Sequence, residues 1–259
     1  IIDDVLIQRY RSGQMGLQRL KDTSTGSYVF GFSLVVLAWT DGKRRLPLAF
    51  LPYFADEGTR LELALALLSW AKEEGFQPEA VLFDAWYAAK EVLEWLHAAG
   101  WPLVTRLRSN RLLDGVRLKG HAGSRWVKAG RLRGLSFGVG VGVVRRGEKF
   151  YCSSQPAWWG EGLVRIYRLR QGIEEIFRGL KQELGGVGPL VQGRKPVPKG
   201  IVHRHWRRGK GLGHLALGLV AYGLIEEMAH RLRLSFYPCR RKRIAGRLTL
   251  DLSPWLDGL

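Results

Sequence analysis

Two apolar, β-branched stretches at 28–39 and 44–53, divided by Asp41-Gly42, predict an antiparallel hairpin closed by a two-residue turn. The opening Ile-Ile-Asp-Asp-Val-Leu-Ile predicts a further strand, apolar except for two adjacent acids. Beyond the hairpin the period changes. Residues 61–74 place apolar side chains at helical spacing, 80–84 make a short apolar strand ending in Asp84, 87–99 return to helix and 102–107 to strand. This β-β-β-α-β-α-β order is then interrupted. Segment 109–158 holds short alternating pieces at 116–118, 125–127, 138–144 and 149–152, separated by glycines and basic residues, and predicts a small β-rich insertion. Helical periodicity resumes at 167–181 and in the trailing stretch 203–224.

The helix predicted over 167–181 has two unlike faces. At about 100° per residue, Tyr167, Arg170, Glu174 and Lys181 fall within an arc of roughly 60°. Leu169, Ile173, Ile176, Phe177, Leu180 and Leu184 gather on the other side and predict its buried face. A solvated i, i+4 ion pair would account for Arg170 and Glu174 alone. The two strand acids argue for more, because charged residues are seldom left in buried strands without a partner. Three carboxylates, from the first strand, from Asp84 and from Glu174, offer hard oxygen ligands for divalent cations. Two such ions about 4 Å apart support in-line phosphoryl displacement.

Net charge narrows the partner. The 259-residue chain carries +18 and has a pI near 10.4, which signals a polyanion, most simply nucleic acid. Between positions 194 and 247 lie fourteen Lys or Arg against two acids, so about two thirds of the excess sits in the C-terminal quarter. Arg207 and Arg208 belong to one of its two densest clusters, and 240–243 is the other. The two cysteines, Cys152 and Cys239, lie far apart and outside any zinc spacing. No apolar run reaches the roughly 18 residues of a transmembrane helix.

The spacing Tyr167-x2-Arg170-x3-Glu174-x6-Lys181, together with Ile-Asp-Asp at 2–4 and Val-Leu-Phe-Asp-Ala-Trp-Tyr at 81–87, resembles the bacterial insertion-sequence transposases of the DDE class over nearly the whole chain. The resemblance implies an α/β, RNase H-like mixed sheet flanked by helices, with a β-rich insertion before the glutamate-bearing helix. It implies Asp3, Asp84 and Glu174 as catalytic metal ligands for Mg²⁺, two ions, with Mn²⁺ as a substitute. Tyr167 and Arg170 would contact DNA phosphates, and Lys181 a terminal phosphate. Its partners would be double-stranded DNA, as element ends and target, and a second protomer in the DNA complex, within a bacterial nucleoid and away from membranes. In the insertion and just after it, Trp126, Trp158 and Trp159 are candidates for stacking on bases.

Two choices remain open on the residues. Alternation sends Asp3 and Asp4 to opposite faces of their strand, and the family favours the first. On the helix, Glu175 lies about 100° away from the stripe that holds Glu174. The expected organisation is a catalytic core over 1–108, an insertion over 109–158, the signature helix within 159–195 and a basic helical region over 196–259. Because Asp3 lies so near an initial Ile, the chain is expected to be a fragment without the upstream domain that grips terminal repeats. A truncated or inactive remnant that only binds DNA is therefore the competing expectation. A third is a basic nucleic-acid-binding module with structural acids.

Overall fold

A computed structural model describes residues 1–8, 18–22, 25–135, 140–183 and 201–231, with side chains of the last segment described from 215. Strand β3 (Tyr28–Thr40) organises the first sheet. Its Ser33–Leu37 stretch is paired antiparallel on one edge to β1 (Ile2–Gln8) and on the other to β4 (Arg45–Tyr53). A short strand not anticipated from the sequence, β2 (Gln18–Lys21), shares the β4 edge. The Gln18 side chain spans the two, donating to the Tyr53 carbonyl at 2.7 Å and accepting from the Ala55 amide at 3.0 Å.

The hairpin turn is longer than the sequence suggested. Thr40 pairs with Arg45, so four residues close it. The Asp41 carboxylate accepts the amides of Lys43 (2.9 Å) and Arg44 (2.7 Å), replacing backbone partners and spreading the turn over more residues.

After α1 (Arg60–Glu73) comes β5 (Val81–Phe83), then α2 (Lys90–Ala98), then β6 (Leu103–Leu107), which is parallel to β5. Thr59 and Glu62 form a capping box at the start of α1. The segment read as an insertion does form strands: β7 (Leu112–Leu113), β8 (Val116–Arg117), β9 (Arg125–Gly130), β10 (Val141–Arg146) and β11 (Lys149–Ser153). β7 and β8 make a small hairpin. The other three extend the second sheet in the order β5-β6-β11-β10-β9, because β11 pairs antiparallel with β6. β1 packs beside β5, which brings the two sheets together edge to edge.

Apolar cores cover both faces. Ile2, Val35, Leu37, Val81, Phe83 and Leu103 point toward α1 and α2. Val5, Ile7, Leu34, Val36, Leu82 and Val104 point the other way, toward α3 (Glu161–Arg168), α4 (Gln171–Arg178) and α5 (Ile201–Arg231). The region expected as one regular helix over 167–181 is instead α3, a tight junction, α4 and a π-helical turn at Gly179–Glu183. At the junction the amides of Leu169, Arg170, Gly172 and Ile173 all bond three residues back, the 3₁₀ pattern, at 3.0–3.1 Å. This turn leaves Leu169 39% exposed rather than in the apolar face. Ile173, Ile176, Phe177 and Leu180 are buried as the spacing predicted, and Leu184 lies outside the described residues. Among the described residues no helix is long and apolar enough to cross a membrane.

Trp159 anchors the start of this helical region. Its indole N–H donates to the Ser153 carbonyl at 3.2 Å, and its ring lies against Gly142 so closely that a β-carbon there would come within 2.1 Å of the ring atoms. Gly142→Ala is expected to displace Trp159 and cost about 1–3 kcal/mol. The check is a denaturant midpoint that falls while the slope of the transition is unchanged.

Candidate active site

Strand alternation sets the first two acids. Asp3 shares the face of Val5 and Ile7, toward α4, while Asp4 shares the face of Ile2, toward α1 and α2. Each finds a different arginine. Asp3 is ion-paired to Arg170, and Asp4 lies 3.5 Å from the Arg60 guanidinium and accepts a hydrogen bond from the Tyr87 hydroxyl at 3.2 Å. The Asp4 contacts tie β1 to the loop after β5.

Asp84 follows Phe83 at the end of β5. Its Oδ1 accepts the amides of Trp86 (2.8 Å) and Tyr87 (3.3 Å), a local turn that fixes the carboxylate. The buried Thr105 hydroxyl lies 3.0 Å from the Phe83 carbonyl and 3.1 Å from that of Asp84, and its one proton serves one of them at a time. By alternation Asp84 has the parity of Leu82 and points to the Asp3 side of the sheet.

Arg170 joins the acids. One amino nitrogen pairs with Asp3, the other donates to Glu174 at 2.6 Å, and the guanidinium carbon is 5.9 Å from the centre of the Tyr167 ring. Burial opposes its charge, but Asp3, Tyr167, Glu174 and Asp84 outweigh that and raise its pKa. Asp3 is pushed up to about 7, chiefly by burial; Arg170 opposes the rise, and the neighbouring charges of Asp84 and Asp4 add to it. The neighbouring Glu175 is turned aside to Arg45, whose Nε lies 3.3 Å away. Glu174 is thus the helix acid in the cluster.

Tyr167 is buried, with its ring 5.2 Å from Tyr151 in an edge-on contact. Burial raises its pKa despite the nearby charges of Arg170 and Arg106, so it stays a phenol. Its hydroxyl, the Nε of Arg170 and the Nε of Arg106 are all buried without hydrogen-bond partners among the described residues. Arg106 was missed by sequence reasoning. Only the strand register places it: it lies one residue past Thr105, the partner of Phe83, on the same parity as Asp84.

The other expected contacts fall elsewhere. Lys181 is on the π-helical turn, half-buried, and the charge beside it is Asp22. Trp126 is partly buried, packed edge-on against His121 at 5.2 Å and tilted against Phe150 at 6.0 Å. Trp158 lines a cleft of about 540 Å³ with Trp39, Trp101 and Leu169, away from the acids. Arg207 and Arg208 fall on α5 where side chains are outside the described residues, as is the whole of 240–243.

The donor chemistry suits a hard divalent cation: three carboxylates, one of them forced toward its neutral form by burial and like charge. Their spacing is open, however. Among the described residues no three acidic, histidine or cysteine side chains converge closely enough to enclose a metal ion, and Arg170 stands between Asp3 and Glu174.

Residues 1–187 match the family described as Transposase DDE domain, and the chain belongs to that family. A search of curated proteins finds no match. Among solved structures, the fold is similar to a piggyBac transposase synaptic complex with hairpin DNA, with a TM-score of 0.51 and 12% identity over 96% of this chain. The chain spans about half, 54%, of that protein.

The Asp3 shift has a defined sign. With its pKa raised from 3.8 to about 7, the folded protein keeps a proton that the unfolded chain has released, so the contribution of Asp3 to stability is fully present below about pH 4 and is lost as pH rises from there to about 7. Asp3→Asn is expected to flatten that fall, which approaches 1.4 kcal/mol per pH unit (roughly) for one full proton. Denaturant unfolding of both proteins at a series of pH values checks it; parallel curves would mean an ordinary Asp3.

Proposed function

We propose that this chain is the catalytic region of a DDE transposase with an RNase H-like core, of the bacterial insertion-sequence kind marked by the Tyr-Arg-Glu-Lys spacing, that cuts element ends and joins them to a target. The observation that carries the reading is the Arg170 cluster, in which one guanidinium draws together acids from β1 and α4, with the charge of Asp84 close by, in a chain that belongs to the Transposase DDE domain family.

Asp3, Asp84 and Glu174 would hold the divalent cations, Mg²⁺ as a pair with Mn²⁺ as a substitute. Bound there, such ions supply the positive charge that an in-line displacement at phosphorus needs at its attacking and leaving oxygens. The protein's own groups do the positioning. The Trp86 and Tyr87 amides hold the Asp84 carboxylate, and Thr105 braces the backbone beneath it. Arg170, which pairs with Asp3 and Glu174 in the free protein, would offer its guanidinium to a phosphate in bidentate fashion. Tyr167 and Arg106 bring unpartnered donors to the same face, where a phosphate oxygen would satisfy them. Lys181 holds a terminal phosphate after cleavage, and Arg207, Arg208 and the remaining C-terminal cations track the duplex. Two protomers pair the two ends.

A second reading is favoured by the open spacing of the acids: a remnant that binds DNA without cutting it. Cleavage of labelled duplex ends in Mg²⁺ or Mn²⁺ separates the two. Asp84→Asn and Glu174→Gln are each expected to lower cleavage by about a thousandfold or more while leaving DNA binding nearly intact. Glu175→Gln breaks only a partly exposed ion pair with Arg45 and is expected to change the rate by less than about threefold. Cleavage retained in both active-site variants removes the transposase reading. Failure of the wild type to cut, with salt-dependent binding preserved, selects the remnant.

A further inference from the structure

On the α1 and α2 side of the sheet, at the carboxyl ends of parallel β5 and β6, lies an open groove of about 630 Å³ that the site described above does not use. Crevices outside the carboxyl ends of parallel strands are favoured ligand positions in α/β proteins. The groove begins where the site leaves off. Trp86 is two residues past Asp84, and Arg108 is two past Arg106.

Its lining is cationic. Arg108, Arg111, Arg133 and Lys90 face it, against one acid, Glu91. Lys90 is paired with Glu94 at 3.7 Å, but none of the three arginines is ion-paired among the described residues. They are also set on fixed backbone: the Arg111 amide bonds the Arg108 carbonyl at 3.0 Å, the Leu118 amide bonds the Arg111 carbonyl at 2.9 Å, and the Arg133 amide bonds the Leu112 carbonyl at 3.1 Å. The Nε of Arg111 is buried with no partner, an orphan donor that an acceptor from a ligand would satisfy. At the mouth stands Trp86, 40% exposed, with its ring edge-on to Tyr87 at 4.9 Å and its amide committed to Asp84. Most of the tryptophans with described side chains pack into cores, which makes an indole beside an unpaired cation cluster unusual in this molecule.

Unpaired guanidinium groups beside an exposed indole suit a polyanion that also carries planar rings. A base still in a duplex presents only its edge to a groove, whereas an unpaired base offers a face on which an aromatic ring can stack. We propose that this groove takes a short unpaired stretch of DNA strand at the cut end, its phosphates held by Arg108, Arg111 and Arg133 and one base stacked on Trp86. This rests on the transposase reading and adds to it a path for the strand, turning from the acids on one face, around the Asp84–Trp86 corner, onto the other.

The test uses duplexes frayed at one end, with 2-aminopurine at successive unpaired positions, bound to the Glu174→Gln protein so that the DNA stays intact. Quenching of one position by stacking is expected, lost in Trp86→Ala and kept in Trp86→Phe. Affinity for the frayed duplex is expected to fall roughly tenfold in Trp86→Ala, with the fully paired duplex little affected. Arg108→Ala with Arg133→Ala is expected to lower the log–log salt slope for a single strand by about 1.4, about 0.7 for each phosphate released. This arm stands even if Trp86→Ala fails to fold. Quenching that is indifferent to Trp86, or an unchanged salt slope, overturns the groove. If the wild type still cuts DNA in Mn²⁺, only the groove proposal falls; if it neither cuts nor binds, the transposase reading falls with it.

Discussion

The arrangement depends on neutralising carboxylates that one strand carries into the interior. β1 lies between β3 and β5 with apolar cores on both sides, so its two acids are left only partly open to water, Asp3 less than Asp4. An uncompensated buried charge would cost several kcal/mol (roughly). Arg170 answers Asp3 from the α4 side, and Arg60 with Tyr87 answers Asp4 from the other. These two pairings are also the struts of the fold: one fixes the signature helices over β1, and the other ties β1 to the corner after β5. The compensation at Asp3 is incomplete, since its carboxyl still titrates near 7. A site that stays short of positive charge after its arginine is in place favours the arrival of further cations.

The helical region over the acids is shaped by the same demand. A regular α-helix would carry Tyr167, Arg170, Glu174 and Lys181 as one stripe. The 3₁₀ junction at 169–173 tightens the path just where Arg170 reaches down to Asp3, and the π-helical turn loosens it before Lys181. Departures of this kind are common at functional sites, where the ladder yields to a side-chain requirement. Here Arg170 and Glu174 keep their i, i+4 contact across the change, while Tyr167 sinks against Tyr151 and Lys181 is left beside Asp22.

Much of this was legible in the chain. Apart from β2, the order of strands and helices through 107 follows from hydrophobic period, and the separation of Asp3 from Asp4, and of Glu174 from Glu175, follows from the two repeat angles of strand and helix. Local side-chain chemistry was harder to read. Asp41 enlarges a turn that its dipeptide alone would have made short, because its carboxylate competes for backbone amides. β2 is only four residues with one buried side chain, Leu20, too little apolar patterning to announce itself.

The sequence by itself determined which residues could meet: periodicity assigns a face to each side chain, and the spacing of charges along that face is fixed by covalent geometry. Which residues do meet was decided by the tertiary structure. The pairing of β11 with β6 makes the segment after residue 109 part of the second sheet, although its strands carry no mark of their partner. The parallel register of β5 and β6 sets Arg106 past the partner of Phe83, near Asp84, and opens the Trp86 groove beside them. Such contacts join residues far apart in the chain, and their energies come from burial and charge compensation in a shared interior, quantities that no local stretch of sequence contains.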